Sequence, residues 1–332
     1  YTYGPEQFNG MTAETTILFP KFFVGKDKFY REFEEVSLFG LHKVATGSAA
    51  SLKGTNTTLL GTSPGSAGLA GVADQANFQV FAVRDGPNSD DVYFKLSSSN
   101  HPNPIPELTS SVFFNVYDNS RWNLSVRVKP KNYPKTGRVG GTFYDKYDVI
   151  FRGTTAELGV LKDSFELTGT ISNVVGTRFL RSPKRMYVGA RRTNLTGAVL
   201  QKSDVQIVDA KYWAKYMSNK ELSLHEYGNE NSGVEGLYLN LNPIDDTLAA
   251  QDVTNKQPLV LNWTFGNVSA SDAGGNFVVQ DYSSGSAEIR REGNYGWASH
   301  LAGYQHDGYG YGFITSSSDV ASGGFQYDQY TF

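Results

Sequence analysis

The sequence predicts an all-β protein, an antiparallel sandwich of jelly-roll type with one short helix, and three observations carry that expectation. Aromatic residues make up 14% of the 332 positions, with 20 Tyr and 21 Phe, beside 35 Gly and only 19% charged residues. Sheets and tight turns need that balance: aromatic and β-branched side chains fit a pleated surface, and Gly supplies the turns. Short apolar or alternating runs recur along the chain, separated by Gly, Asn, Asp and Pro clusters. A single capped segment, near residue 220, reads as helix.

Taken in order, Phe78–Val83 runs apolar, Asp85-Gly86-Pro87-Asn88 marks a turn, and Val92–Leu96 follows, which predicts a hairpin. Val112–Tyr117 reads as the next strand, turning at Asp118-Asn119. In the run after it, Trp122, Leu124, Val126 and Val128 share one face while Asn123, Ser125 and Arg127 face out. That alternation predicts a half-buried antiparallel strand. Tyr147–Phe151, Ser164–Leu167, Arg185–Ala190 and Val205–Ala210 read as further strands. Ser218-Asn219-Lys220-Glu221 is a capping box: the Ser218 hydroxyl accepts from the Glu221 amide, and the Glu221 carboxylate reaches back to Ser218. Gly228 is placed to stop the helix.

Residues 1–242 are therefore expected to form one jelly-roll domain, with the Gly-, Ser- and Thr-rich segment 48–76 as an extended loop or arm. Residues 243–258, polar and containing Pro243 and Pro258, read as a linker. Leu259–Phe265 and Asn276–Asp281 look like new strands, so 259–332 is expected to be the start of a second, partial β module. The chain opens Tyr1-Thr2-Tyr3 and ends within an alternating run at Phe332, which reads as a slice of a longer polypeptide.

A net charge of −3 and the absence of a clustered basic stripe argue against nucleic acid as a partner. Lys184-Arg185 and Arg191-Arg192 read as solvated loop charges. With no Cys, disulfides, thiolate metal sites and a thiol nucleophile are excluded. No apolar run reaches the roughly 18 residues of a membrane span.

Asp204–Leu222 resembles the closing signature of laminin-G-like, concanavalin A-like domains: a last strand carrying Trp213, then a Ser-x-x-Glu-Leu helix start at Ser218. Tyr187-Val188-Gly189-Ala190 looks like the penultimate core strand of that family, and the resemblance spans about residues 12–238. Trp122, Trp213, Ser218 and Glu221 are the structural residues it singles out. Leu261–Phe265 together with Asn276–Ser286 looks like the opening of another such module, and paired openings and closings of this type resemble the modular virion structural proteins of T-even-like marine phages. The resemblance implies a non-enzymatic structural and interaction module of a larger virion or surface protein, forming homo-oligomers or packing on its neighbours. A carbohydrate-binding adhesin, calcium-dependent or not, is the alternative.

Catalysis has little to stand on. Glu32 and Glu34 would share one strand face, as paired glycosidase carboxylates must, yet the stretch reads better as an exposed charged edge. His42, His101, His225, His300 and His306 are not at metal-ligand spacing, apart from the loose pair His300 and His306. His225 reads as a surface or core-edge residue of the capped helix. The turn with Asp85, Asn88, Asp90 and Asp91 gathers oxygen ligands of the kind calcium takes, and a solvated turn is the simpler reading. Tyr304, Tyr309 and Tyr311, in a Gly-Tyr tract, are candidates for stacking on sugars or for a protein interface.

Overall fold

The computed structural model describes residues 10–21, 34–43, 78–86, 89–98, 105–132, 146–181, 184–189, 191–192, 199–200, 203–227, 258–271 and 277–283. In chain order these form β1 (Met11–Phe19), β2 (Glu35–Lys43), β3 (Phe78–Arg84), β4 (Val92–Ser97), β5 (Leu108–Phe113), β6 (Ser120–Pro130), β7 (Lys146–Glu157) and β8 (Val160–Ser172). Then follow α1 (Asn173–Arg181), β9 (Lys184–Val188), β10 (Arg191–Arg192), β11 (Val199–Leu200), β12 (Gln206–Trp213), α2 (Asn219–Tyr227), β13 (Leu259–Ser271) and β14 (Phe277–Asp281).

The strands make two large antiparallel sheets. One has the order β14-β13-β12-β1-β6-β7-β8 and the other β5-β4-β3-β2-β9, with β10 and β11 paired separately. The chain crosses between sheets after β1, β5, β8 and β9, so sequence neighbours such as β1 and β2 lie in different layers. The fold is an antiparallel β-sandwich of jelly-roll type, as the strand pattern predicts.

Strand alternation builds the core. Met11, Ala13, Ile17 and Phe19 of β1 and Trp122, Leu124, Val126 and Val128 of β6 are all buried in one cluster with Phe78, Val80, Phe94 and Leu96 of the facing sheet. Aromatic rings bridge the layers: Phe94 lies 4.8 Å from Trp122 and 5.5 Å from Phe165, and Phe113 lies 4.9 Å from Trp122. Each such pair adds about 0.5–1.5 kcal/mol beyond the area it buries. Gly153 lets the rings close up, because a Cβ there would meet Phe165 Cε1 at 2.3 Å.

Several elements differ from the sequence reading. Residues 259–271 and 277–281 do not open a second module: β13 pairs with β12 (Tyr212 opposite Leu261, Ala210 opposite Trp263), and Val260, Leu261 and Trp263 enter the same core cluster. An apolar strand beside an unfilled sheet edge is more stable added to that sheet than starting a core of its own. Of the expected linker 243–258, Pro258 alone is described.

Strand β5 starts earlier than expected and ends at Phe113. The segment from 114 to 119 is a turn, made by Asn115 (φ 55°) and Asn119 (φ 59°), two side chains that tolerate left-handed backbone. A second helix, α1, accompanies the expected one. Its Val174, Val175 and Thr177 favour strand, but Ser172 Oγ accepts from the Val175 amide at 3.4 Å and Phe179 stacks on Phe78 at 6.0 Å. Tertiary packing outweighs local propensity there. Lys184-Arg185 opens β9 and Arg191-Arg192 forms β10, so these pairs lie on strands rather than loops. Glu34 precedes β2 in a bend and is exposed, and Glu32, the arm 48–76 and Tyr304, Tyr309 and Tyr311 lie outside the described residues. No helix among the described residues is long and apolar enough to cross a membrane.

Candidate functional site: the helix-covered face of the seven-stranded sheet

On β1, β6, β7 and β12 the residues that alternate with the core carry polar and charged side chains: Thr12, Glu14, Thr16, Asn123, Ser125, Arg127, Arg152, Thr154, Asp209 and Lys211. In a sandwich with one wet face these would be solvated. Instead Glu14, Arg127, Asp209 and Lys211 are 0–1% exposed. The expectation that Asn123, Ser125 and Arg127 face water is therefore corrected: all three are buried. Helix α2 crosses this face, and a helix covering a sheet leaves no trace in the strand's own alternation.

The capping box starts α2 as the sequence predicts. Glu221 N donates to Ser218 Oγ at 3.2 Å, and Ser218 N donates to Glu221 Oε2 at 2.8 Å. Glu221 also pairs with Lys215. Leu222 then packs with Trp213, Met217 and Leu259 in a small apolar cluster outside the main core. One turn on, His225 stacks on Trp213, with ring centroids 5.7 Å apart and 13° between planes. Trp213 seats the helix rather than filling the sandwich core. Trp122 and Trp263 are the tryptophans of the main core cluster.

Beneath the helix lies a largely buried charge cluster in matched pairs, with Glu166 exposed. His225 Nδ1 is 3.0 Å from Glu14 Oε2, and Trp213 Nε1 donates to Glu14 Oε1 at 2.8 Å. Lys211 Nζ meets Asp209 Oδ2 at 2.9 Å, Arg127 Nη2 meets Glu166 Oε2 at 2.8 Å, and Arg152 Nη2 meets Glu226 Oε1 at 2.5 Å. Burial by itself would push the Glu14 carboxyl up. The His225 imidazole, Lys211 and the Trp213 N–H overcome this and hold it at about 2, so Glu14 is a carboxylate. Burial pulls the Arg127 guanidinium down, against the support of Tyr216 and Glu166, and pushes the Tyr216 phenol up. An ionised Glu14 only accepts, so His225 donates to it from Nδ1.

His225 Nε2 is buried with no hydrogen-bond partner among the described residues. It borders a polar cavity of about 160 Å³ lined by Thr16, Arg121, Asn123, Thr154, Glu226 and His225, with Ala156, Leu158 and Gly159 of the β7–β8 hairpin at its side. Arg121 Nη2 is likewise buried without a partner. His225 is therefore neither a surface nor a core-edge residue: it is fully buried and joins the charge cluster to the cavity. Its place on the face of Leu222, three residues away on the capped helix, was the available signal, since such residues share one side.

The β7–β8 hairpin is unusual. Glu157 pairs with Val160, leaving a two-residue turn of Leu158 (φ 51°) and Gly159 (φ 79°). Such a turn favours Asn or Gly at both positions. Leu158 is nevertheless 99% exposed, next to exposed Val160 (68%) and Leu161 (43%). Phe114, 76% exposed, sits in the β5–β6 turn at the same end of the sandwich, since Trp122 at the start of β6 pairs with Thr155 at the end of β7.

The turn holding Asp85, Asp90 and Asp91 is also at this end. Asp91 Oδ1 accepts from the Asn115 amide at 2.8 Å, and Asp90 O accepts from Tyr117 N at 3.2 Å. Arg84 anchors the turn from below: it donates to Ser89 O at 2.9 Å, meets Asp204 at 2.6 Å and lies over the Tyr117 ring at 3.5 Å. Among the described residues no three His, Asp or Glu side chains converge as a metal would need, and Asn88 lies outside them.

The fold and this face define a jelly-roll β-sandwich with one helix-covered sheet. No protein-family model matches the chain, and no curated protein does. Among solved structures, a marine PL-14 alginate lyase from Aplysia kurodai is similar at 13% identity and a TM-score of 0.20, over 50% of this chain. The match spans about half of that enzyme's length, 54%, and carries no argument about chemistry here.

Proposed function

We propose that the chain is a non-enzymatic structural and interaction module of a larger modular virion or surface protein, and that it packs against a second copy or a neighbouring protein through the β7–β8 end. The observation that supports this most is Leu158. A large apolar side chain is 99% exposed, on a residue with φ 51°. Left-handed backbone costs a non-Gly residue roughly 1–2 kcal/mol, and an exposed Leu gains nothing from burial within the chain. Strain and exposure together at one tip are the marks of a contact residue. Val160, Leu161 and Phe114 widen the patch. The virion setting rests on the resemblance of Trp213–Leu222 to modular closing segments.

Sedimentation velocity over a concentration series tests the packing. Association is expected to weaken at least tenfold in Leu158→Asn with the fold intact. A wild-type chain that stays monomeric at about 100 µM, or association indifferent to Leu158, would overturn self-packing; pull-down of the neighbouring module by wild type and not by Leu158→Asn would support the other partner.

A second reading, glycan recognition, is favoured by the polar cavity. It offers hydroxyl, amide and guanidinium groups beside the aliphatic Ala156 and Leu158, the mixture that a sugar's hydroxyls and C–H faces require.

A further inference from the structure

Two residues that line the cavity each carry a buried polar atom with no hydrogen-bond partner among the described residues. His225 is 0% exposed, and its Nε2 has no hydrogen-bond partner. Arg121 lines the same cavity, and its buried Nη2 has none either. A buried polar atom left unpaired costs about 1–3 kcal/mol, so two such atoms on residues that line one cavity point to a ligand that pairs both.

Their chemistry differs, and this narrows the ligand. Glu14 faces His225 Nδ1, and the ring's Nε2 calls for a hydroxyl, which can either donate or accept. Arg121 only donates, and it carries a charge. The carboxylates of this face already have partners: Glu14 has His225, Asp209 has Lys211, Glu166 has Arg127, and Glu226, which also borders the cavity, has Arg152. Among the described residues Arg121 has no carboxylate partner. It calls for an anionic acceptor, and a planar guanidinium suits a carboxylate. The cavity volume of about 160 Å³ equals roughly five waters at ~30 Å³ each, so it takes one small unit.

We infer that this cavity binds a small polyhydroxy carboxylate of the sugar-acid class, its carboxylate on Arg121 and a hydroxyl on His225 Nε2. Asn123, Thr16 and Thr154 supply further hydroxyl and amide contacts. The inference rests on the glycan reading above and adds the acid to it.

The test uses D-glucuronate, D-glucose and acetate as probes on the full chain, with binding followed by calorimetry and by the side-chain ¹⁵N signals of His225. Glucuronate is expected to bind and to shift the Nε2 signal. Glucose, without the carboxylate, and acetate, without the hydroxyls, are each expected to bind at least tenfold more weakly. Arg121→Gln is expected to weaken glucuronate at least tenfold and leave glucose unchanged, whereas a merely structural Arg121 would change both or neither. Glucose binding as well as glucuronate overturns the acid preference while leaving the glycan reading intact. No Nε2 shift with any probe, in a chain whose Trp213 and His225 signals show it folded, overturns both.

Discussion

His225 Nδ1 lies 3.0 Å from Glu14 Oε2 across 211 positions of sequence, both side chains fully buried. The pair ties the first strand of the seven-stranded sheet to the helix that covers it. Trp213 completes the link: its indole N–H bonds Glu14 and its ring stacks on His225. Removing one partner of such a pair strands the other charge away from water, which costs several kcal/mol, although the intact pair adds little over an apolar contact.

Acid stability follows from this pair. The Glu14 carboxyl is held at about 2 in the folded chain against 4.5 unperturbed. A lowered folded value means the unfolded chain takes up the proton first. The stabilisation is therefore complete above about pH 4.5 and is lost as the pH falls towards 2; it is on the order of a few kcal/mol. Thermal melts between pH 6 and 2 are expected to show Tm falling through this window. In Glu14→Gln the starting Tm is lower and the fall is shallower. An unchanged slope in the variant would remove Glu14 as the source.

The helix start is the next weak point. Ser218→Ala removes the acceptor for the Glu221 amide, and the loss of such a cap costs about 1 kcal/mol. Because α2 holds His225 over Trp213, fraying of its first turn reaches the buried pair. Hydrogen exchange of the Trp213 indole N–H is expected to speed up in Ser218→Ala. Glu221→Gln keeps the reciprocal cap, which Gln also makes, and loses the Lys215 pairing alone, so its exchange should stay closer to wild type.

What the sequence discloses depends on whether the deciding contact is local. The Ser218–Glu221 box spans three residues and can be read directly. The core face of β6, Trp122 to Val128 by twos, is legible because one face of a strand meets one core. The opposite face is not: alternation marks Asn123 and Arg127 as outward, and only α2 and the residues leading into it, some ninety positions on, make outward mean buried (Arg127 Nη1 donates to Met217 O at 3.0 Å, a separation of 90). Glu14 is hidden for the same reason. α1 is hidden because Val174 and Val175 favour strand and Phe179 finds its partner, Phe78, in the other sheet.

The hairpin tip makes a prediction of opposite sign. Asn accepts the backbone that Leu158 adopts at φ 51°, and no packing is lost with a side chain that is 99% exposed. Leu158→Asn is therefore expected to stabilise the isolated chain by about 0.5–1 kcal/mol, read as a higher denaturant midpoint at unchanged slope. A destabilised variant would mean that Leu158 is packed within the chain.

The last prediction concerns where the folding unit ends. If residues after 258 began a separate module, a chain cut at 242 would keep its stability. In the structure β13 covers the edge of β12 and brings Val260, Leu261 and Trp263 into the common core. Full burial of a large apolar side chain is worth about 1.5–3 kcal/mol, and three of them amount to a sizeable part of the 5–15 kcal/mol that holds a typical domain together. The cut also bares Leu259's partners Trp213, Met217 and Leu222, which seat α2, and leaves β12 as an open edge prone to pairing with other chains. A chain of residues 1–242 is expected to lose several kcal/mol relative to one of residues 1–283, to exchange the Trp213 indole N–H rapidly, and to aggregate. Equal denaturant midpoints for the two chains would restore the boundary at 258.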